Sequence, residues 1–124
     1  MKKKEVFKRV AKHLLAQNEA CRGGVTRYDC WYRHPSRVEL KCAIGCLISD
    51  EFYSEEIESK TVDEPIVKEA LKNSLNQPIT SEDIELLKDL QDLHDYLDPK
   101  EWRKKLDALA MAWVKTNLID MGIS

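Results

Sequence analysis

Residues 42–48 read CAIGCLI, a run of seven with no charged side chain. As a helix it has no face fit for water, and as a strand it needs cover on both sides. A segment apolar all round must lie at the centre of whatever fold forms, and the rest of the chain must supply the elements that surround it. We read it as a short buried helix, with Gly45 letting a neighbouring backbone approach closely. Cys42 and Cys46 stand four apart within it, which sets core packing against a metal or thiol site.

The covering elements are mostly helical. Val6, Phe7, Val10, Ala11, Leu14 and Leu15 form an apolar stripe with basic residues opposite, so a first helix is expected from about Lys3 to Gln17. Ser49, followed by Asp50 and Glu51, opens a short helix carrying Phe52, Tyr53 and Ile57. Asp63 caps a helix with Pro65 in its first turn, and Thr80 or Ser81 caps one whose inward residues are Ile84, Leu87, Leu90 and Leu93. In DPKEW, Asp98 is the cap, Pro99 the first helical residue and Glu101 the return half of a capping box. That last helix is expected to bury Trp102, Leu106, Leu109 and Trp113 and to stop near Gly122.

Between the first helix and the central segment the period changes to two. Tyr28, Cys30 and Tyr32 alternate with Arg27, Asp29, Trp31 and Arg33; Val38, Leu40 and Cys42 alternate with Arg37, Glu39 and Lys41; Pro35 sits between the runs. This reads as a β-hairpin over about 26–42. The expected fold is mainly α (α+β): one globular domain over 1–124, four to five helices around the buried segment, and one hairpin.

Charge and composition narrow the function. Apolar residues make up 43% of the chain and charged residues 34%, a globular balance that needs no staples at this length. No apolar run approaches the roughly 20 residues a membrane span requires. The opening is basic like a leader, but Lys8, Arg9, Lys12 and His13 interrupt the apolar section a leader needs. A cytoplasmic setting follows, with the cysteines as thiols or ligands. Residues 1–12 carry six basic side chains and one acidic, whereas 50–64 and 82–98 each carry seven acidic and one basic. The blocks suggest a molecule with a basic side and an acidic side.

No motif announces catalysis or a cofactor. A structural zinc site takes four ligands, usually in two close pairs, and only Cys42 and Cys46 form such a pair among Cys21, Cys30, His34, Cys42 and Cys46. We therefore expect no metal, with Cys30, Cys42 and Cys46 as the alternative set should Cys30 and Cys42 meet on paired strands. Cys46 lies in apolar surroundings that suppress thiol reactivity. Walker and dinucleotide-binding glycine patterns are absent. His94 and Asp95, just before the last helix, are either an acid–base pair or the filling of a helix end. Trp31 falls opposite the tyrosine face beside Arg27 and Arg33, with Arg37 beyond the turn. A tryptophan among arginines is the composition of a binding surface.

Two segments, LKCAIGCLISDEFYSEEIE and LQDLHDYLDPKEWRKKLDALA, together resemble a group of small proteins encoded by tailed bacteriophages and some bacteria. That group combines a helical start, a KCAIGCLIPDE-like centre and a downstream LQxxHD…W segment; here Ser49 replaces the proline. The resemblance implies a phage-infected bacterial cytoplasm and carries no catalytic residue across. The expected function is a small phage-type accessory protein that binds a host or phage protein, or a nucleic acid, without catalysis and without a cofactor. Its binding surface is Trp31, Arg33, Arg37 and Arg27. The alternative is a small-molecule- or metal-dependent activity using Cys30, Cys42 and Cys46, or His94 and Asp95.

Overall fold

The computed structural model describes residues 1–23 and 30–124. Four α-helices, α1 (Lys3–Gln17), α2 (Pro65–Leu75), α3 (Ser81–Tyr96) and α4 (Pro99–Val114), surround an irregular centre with three 3-10 turns, Gly45–Leu47, Asp50–Phe52 and Glu55–Ile57. The centre is the all-apolar segment: Cys42, Ala43 and Ile44 are wholly buried and Leu47 nearly so. Helix α4 packs against both α1 and α3, while α2 covers the three turns. Among the described residues no helix is long and apolar enough to cross a membrane.

Local chemistry accounts for most boundaries. Helix α1 buries Val6, Phe7, Val10, Ala11 and Leu14 and ends where Asn18 turns left-handed (φ 50°), its N–H donating to the Leu14 carbonyl. Helix α3 starts with a complete capping box: Thr80 Oγ1 accepts from the Asp83 N–H, and the Asp83 carboxylate accepts from the Thr80 N–H. Helix α4 begins at Pro99 as DPKEW implies, yet Asp98 makes no side-chain cap; the Glu101 N–H goes to the Asp98 carbonyl at 2.8 Å. It stops at Val114, not near Gly122, because Lys115 adopts φ 59°. The Leu118 N–H then finds Asp107 Oδ1 at 2.9 Å, and the tail folds back to bury Leu118, Met121 and Ile123.

The β-hairpin over 26–42 does not form as a sheet among the described residues; residues 26–29 lie outside them. Two isolated antiparallel bridges stand in its place, Arg22 with Cys30 and Arg33 with Lys41. Beyond these bridges side chains take the backbone groups. Glu58 accepts the N–H groups of Tyr32 (2.8 Å) and Arg33 (3.2 Å). Gln17 brackets Lys41, accepting its N–H at 3.0 Å and donating to its carbonyl at 2.8 Å. At the tip, His34 Nδ1 accepts from the Ser36 and Arg37 N–H groups. Among the described residues, backbone pairing across the hairpin is confined to one rung, where the His34 N–H donates to the Leu40 carbonyl at 3.0 Å and the Cys42 N–H to the Tyr32 carbonyl at 3.3 Å; the next donor, the Tyr32 N–H, goes to Glu58 instead.

Gly45 explains why the loop and the centre meet. A Cβ at this position would lie 2.0 Å from the Tyr32 carbonyl oxygen. Only glycine permits that approach, so the 30–33 segment is laid directly on the central turn.

Candidate functional site

The site grows from the last turn of α3. His94 is wholly buried, its ring stacked on the Trp102 indole with centroids 5.7 Å apart. Its Nε2 accepts the Cys21 N–H at 2.9 Å, and its Nδ1 meets Asp95 Oδ1 at 2.8 Å. A nitrogen that accepts carries no proton, so the proton sits on Nδ1 and is donated to the carboxylate. Asp95 Oδ1 also accepts from Gln91 Nε2 at 2.9 Å. Arg22 donates through Nη2 to the carbonyls of His94 (3.3 Å) and Asp95, a cation capping the C-terminal carbonyls of α3.

Cys30 completes the cluster. Its sulfur and the ligand-type atoms of His94 and Asp95 all lie within 4.8 Å of one another. Burial first, then the Asp95 carboxylate, push the thiol up to about 11, against the opposing pull of Arg22. The thiol therefore stays protonated at neutral pH.

Cys30, His94 and Asp95 are the right residue types for a metal, but the ring does not fit the task. Binding through Nδ1 would move the proton to Nε2, where it would face the Cys21 N–H, donor against donor, between two residues that are both wholly buried. The same bond denies His94 the role of base toward Cys30. The arrangement is a hydrogen-bonded joint that ties the end of α3 to Cys21 and Arg22, with Cys30 beside it.

The sulfurs of the remaining cysteines are not among the close ligand atoms of this cluster. Cys42 is wholly buried, its sulfur accepting the Gly45 N–H at 3.2 Å, and burial holds its thiol well above the ordinary value. Cys46 donates to the Ala43 carbonyl at 3.1 Å and is pushed up to about 12 by burial, despite Arg9 and Lys41 nearby. Cys21 donates to the Leu40 carbonyl at 3.2 Å and is likewise raised by burial to about 12. The set Cys30, Cys42 and Cys46 is not among the clusters of close ligand atoms that the described residues form.

The surface residues fall differently. Trp31 is half-buried, its Nε1 donating to the Gly23 carbonyl at 2.8 Å. It is a wall common to two clefts. One, of about 460 Å³, lies over the Cys30–Asp95 cluster and is bounded by Tyr32, the 59–63 segment and α3 from Lys88 to Tyr96. The other, of about 500 Å³, is bounded by Arg33, His34, Pro35, Val38, Tyr53, Glu55 and Glu58. Exposed apolar groups stand on both rims: Tyr96 on the first is 80% exposed and Val38 on the second 70%.

The arginines are engaged within the chain. Arg33 pairs with Asp50 at 2.9 Å, donates to the Ile48 carbonyl at 2.8 Å and lies 4.2 Å over the Tyr53 ring. Arg37 is exposed but bonds both Glu19 oxygens, at 2.6 and 3.1 Å, and holds that carboxyl below its ordinary value. Arg27 lies outside the described residues. Asp63, Asp92 and Asp95 line the first cleft together with Lys60 and Lys88, and partial burial together with Asp95 and Asp89 raises Asp92 above the ordinary value.

Sequence reasoning missed Glu58, Gln91 and Arg22. Each acts on a partner 25 or more residues away or on a helix end that composition does not mark. The one available signal was the position of Gln91 four residues before Asp95 on a helix face.

No family model matches the chain, and no curated protein or solved structure does so either.

Proposed function

We propose that the chain is a small accessory protein of the bacteriophage type that binds another protein without catalysis, in a bacterial cytoplasm, and that the face centred on Trp31 takes the partner. The observation that carries this reading is the place of Trp31 as the shared wall of two clefts with Tyr96 and Val38 exposed on their rims. A rigid aromatic anchor between pockets, ringed by polar groups, is the usual form of an interaction hot spot. A protein is favoured over a nucleic acid here. Five carboxylates, Asp63, Asp92, Asp95, Glu55 and Glu58, line the clefts against three cations, of which Arg33 and Lys88 are ion-paired with Asp50 and Asp63 and Lys60 donates to the Glu56 carbonyl. The alternative of a metal- or thiol-dependent activity at Cys30, His94 and Asp95 is disfavoured by the commitment of both His94 ring nitrogens.

The test is site-specific photocrosslinking in phage-infected cells. A photoreactive residue at position 38 or at position 96 should capture the same protein, and one at Met111 or Ile119, which are exposed elsewhere, should not. Capture that is equal from all four positions, or absent from the two rim positions, contradicts the reading.

A further inference from the structure

Most cations at and along α1 have no partner of opposite charge among the described residues. Lys2, Lys4, Arg9 and Lys12 are exposed and Lys8 is half-exposed. Among the described residues none of them makes an ion pair; Lys3, by contrast, reaches Glu82 and Asp83. Glu5 is the single carboxylate on this helix. At the C-terminal end of the stripe, Arg9 and Lys12 border a recess of about 380 Å³ with His13, Glu39, Lys41 and Cys46, and Glu39 is turned to Arg37. The chain has more acidic than basic residues overall, so leaving these cations unmatched is a matter of placement, not of supply.

We propose that this face of α1, through Lys4, Lys8, Arg9 and Lys12 with Lys41, binds the phosphate backbone of a nucleic acid. Two features select that partner. Protein interfaces need an apolar or aromatic centre and are poor in lysine, whereas the exposed face of α1 presents long cations with no large apolar group among them. An anionic membrane surface would take an amphipathic helix by its apolar side, but Val6, Phe7, Val10, Ala11 and Leu14 are buried in the core. Arg9 donates to the Cys46 carbonyl at 3.5 Å but meets no carboxylate; guanidinium and ammonium groups without a counter-ion on a helix are what sequence-independent phosphate contact requires. The face is separate from the Trp31 clefts, so the two proposals stand or fall independently.

The test is fluorescence anisotropy of the full chain with labelled single-stranded and duplex oligonucleotides across a salt series. Duplex affinity should fall with salt at a log–log slope of about −2 to −4, corresponding to two to four neutralised phosphates. The variant K4E/R9E/K12E should melt like the parent and bind at least about 30-fold more weakly at low salt. The milder R9Q/K12Q should weaken binding about 3–10-fold, which keeps the test decisive should the reversed charges disturb folding. Three results overturn the proposal: no salt-dependent binding to either oligonucleotide, unchanged affinity in both variants, or a parent that self-associates through this face, with K4E/R9E/K12E abolishing the association while leaving oligonucleotide binding intact. Binding to phosphatidylserine vesicles but not to oligonucleotides also overturns it.

Discussion

Removing the His94 ring would strand polar groups on both sides of it. The Cys21 N–H would lose its acceptor, Asp95 would lose a donor, and the stacked face of Trp102 would border a void. His94→Ala is expected to cost about 2–4 kcal/mol, as unsatisfied buried groups and a cavity together imply. Denaturant midpoints measure it. Added zinc should leave the parent's melting temperature unchanged; a rise that depends on His94 would show that Nδ1 is available to a metal after all. The central cysteines differ for a similar reason. Cys42→Ser should cost about 1–3 kcal/mol, because it buries a hydroxyl where the thiol sulfur serves as an acceptor. Cys46→Ser should cost less, since the new hydroxyl inherits the Ala43 carbonyl as its acceptor. Equal losses at the two positions would contradict this distinction.

Elements show where hydrophobic period and capping chemistry suffice. The stripe from Val6 to Leu14 needs nothing outside its own helix to be recognised, and the span Lys3–Gln17 is the expected one. Pro65, Thr80 and Pro99 mark the helix starts for equally local reasons, although of the expected caps only Thr80 forms: Ser49 and Asp98 make no side-chain cap, and Glu64 rather than Asp63 stands at the cap position of α2. The hairpin was not legible in this way. Its pairing ends after one rung because Glu58 and Gln17, from distant parts of the chain, take neighbouring backbone groups, and alternation cannot reveal a side chain that replaces a strand. The close approach at Gly45 was legible, but its partner, the Tyr32 carbonyl, was not. Gly45→Ala forces a methyl group onto that oxygen and should cost about 3 kcal/mol or more, or prevent folding altogether; a stability within experimental error of the parent would rule out the contact. His13 adds a pH dependence to α1. Burial lowers its pKa below the ordinary value, against the opposing hydrogen bond to the Lys41 carbonyl. The unfolded chain therefore takes up the proton first, so this contribution to stability is complete above about pH 6.5 and is lost as pH falls through the lowered folded value. His13→Gln, which keeps a donor for Lys41, should flatten the fall in urea midpoint between pH 7.5 and 5.5; an unchanged slope would place its origin elsewhere.

For the whole molecule, the candidate site divides along the same line. Trp31 was legible as an aromatic set off from the tyrosine face, and His94 and Asp95 were legible as neighbours. The engagement of Arg33 and Arg37 was not, because Asp50 and Glu19 come from elements that sequence spacing does not bring near. What emerges is a charge-segregated chain whose basic helix face and grooved, carboxylate-lined face are separate surfaces, joined by a core in which the groups resembling a reactive centre are bound to one another. The claim that the grooved face is the protein-binding surface is tested most directly by the double variant Val38→Asp with Tyr96→Ala. Both side chains are exposed on the cleft rims, so the melting temperature should stay within about 3 °C of the parent, as surface changes of under roughly 0.5 kcal/mol allow. The quantity measured is the affinity for the protein that crosslinks from those rims. The account predicts a loss of at least about tenfold, or 1.4 kcal/mol. A folded double variant that binds this protein as tightly as the parent would contradict it.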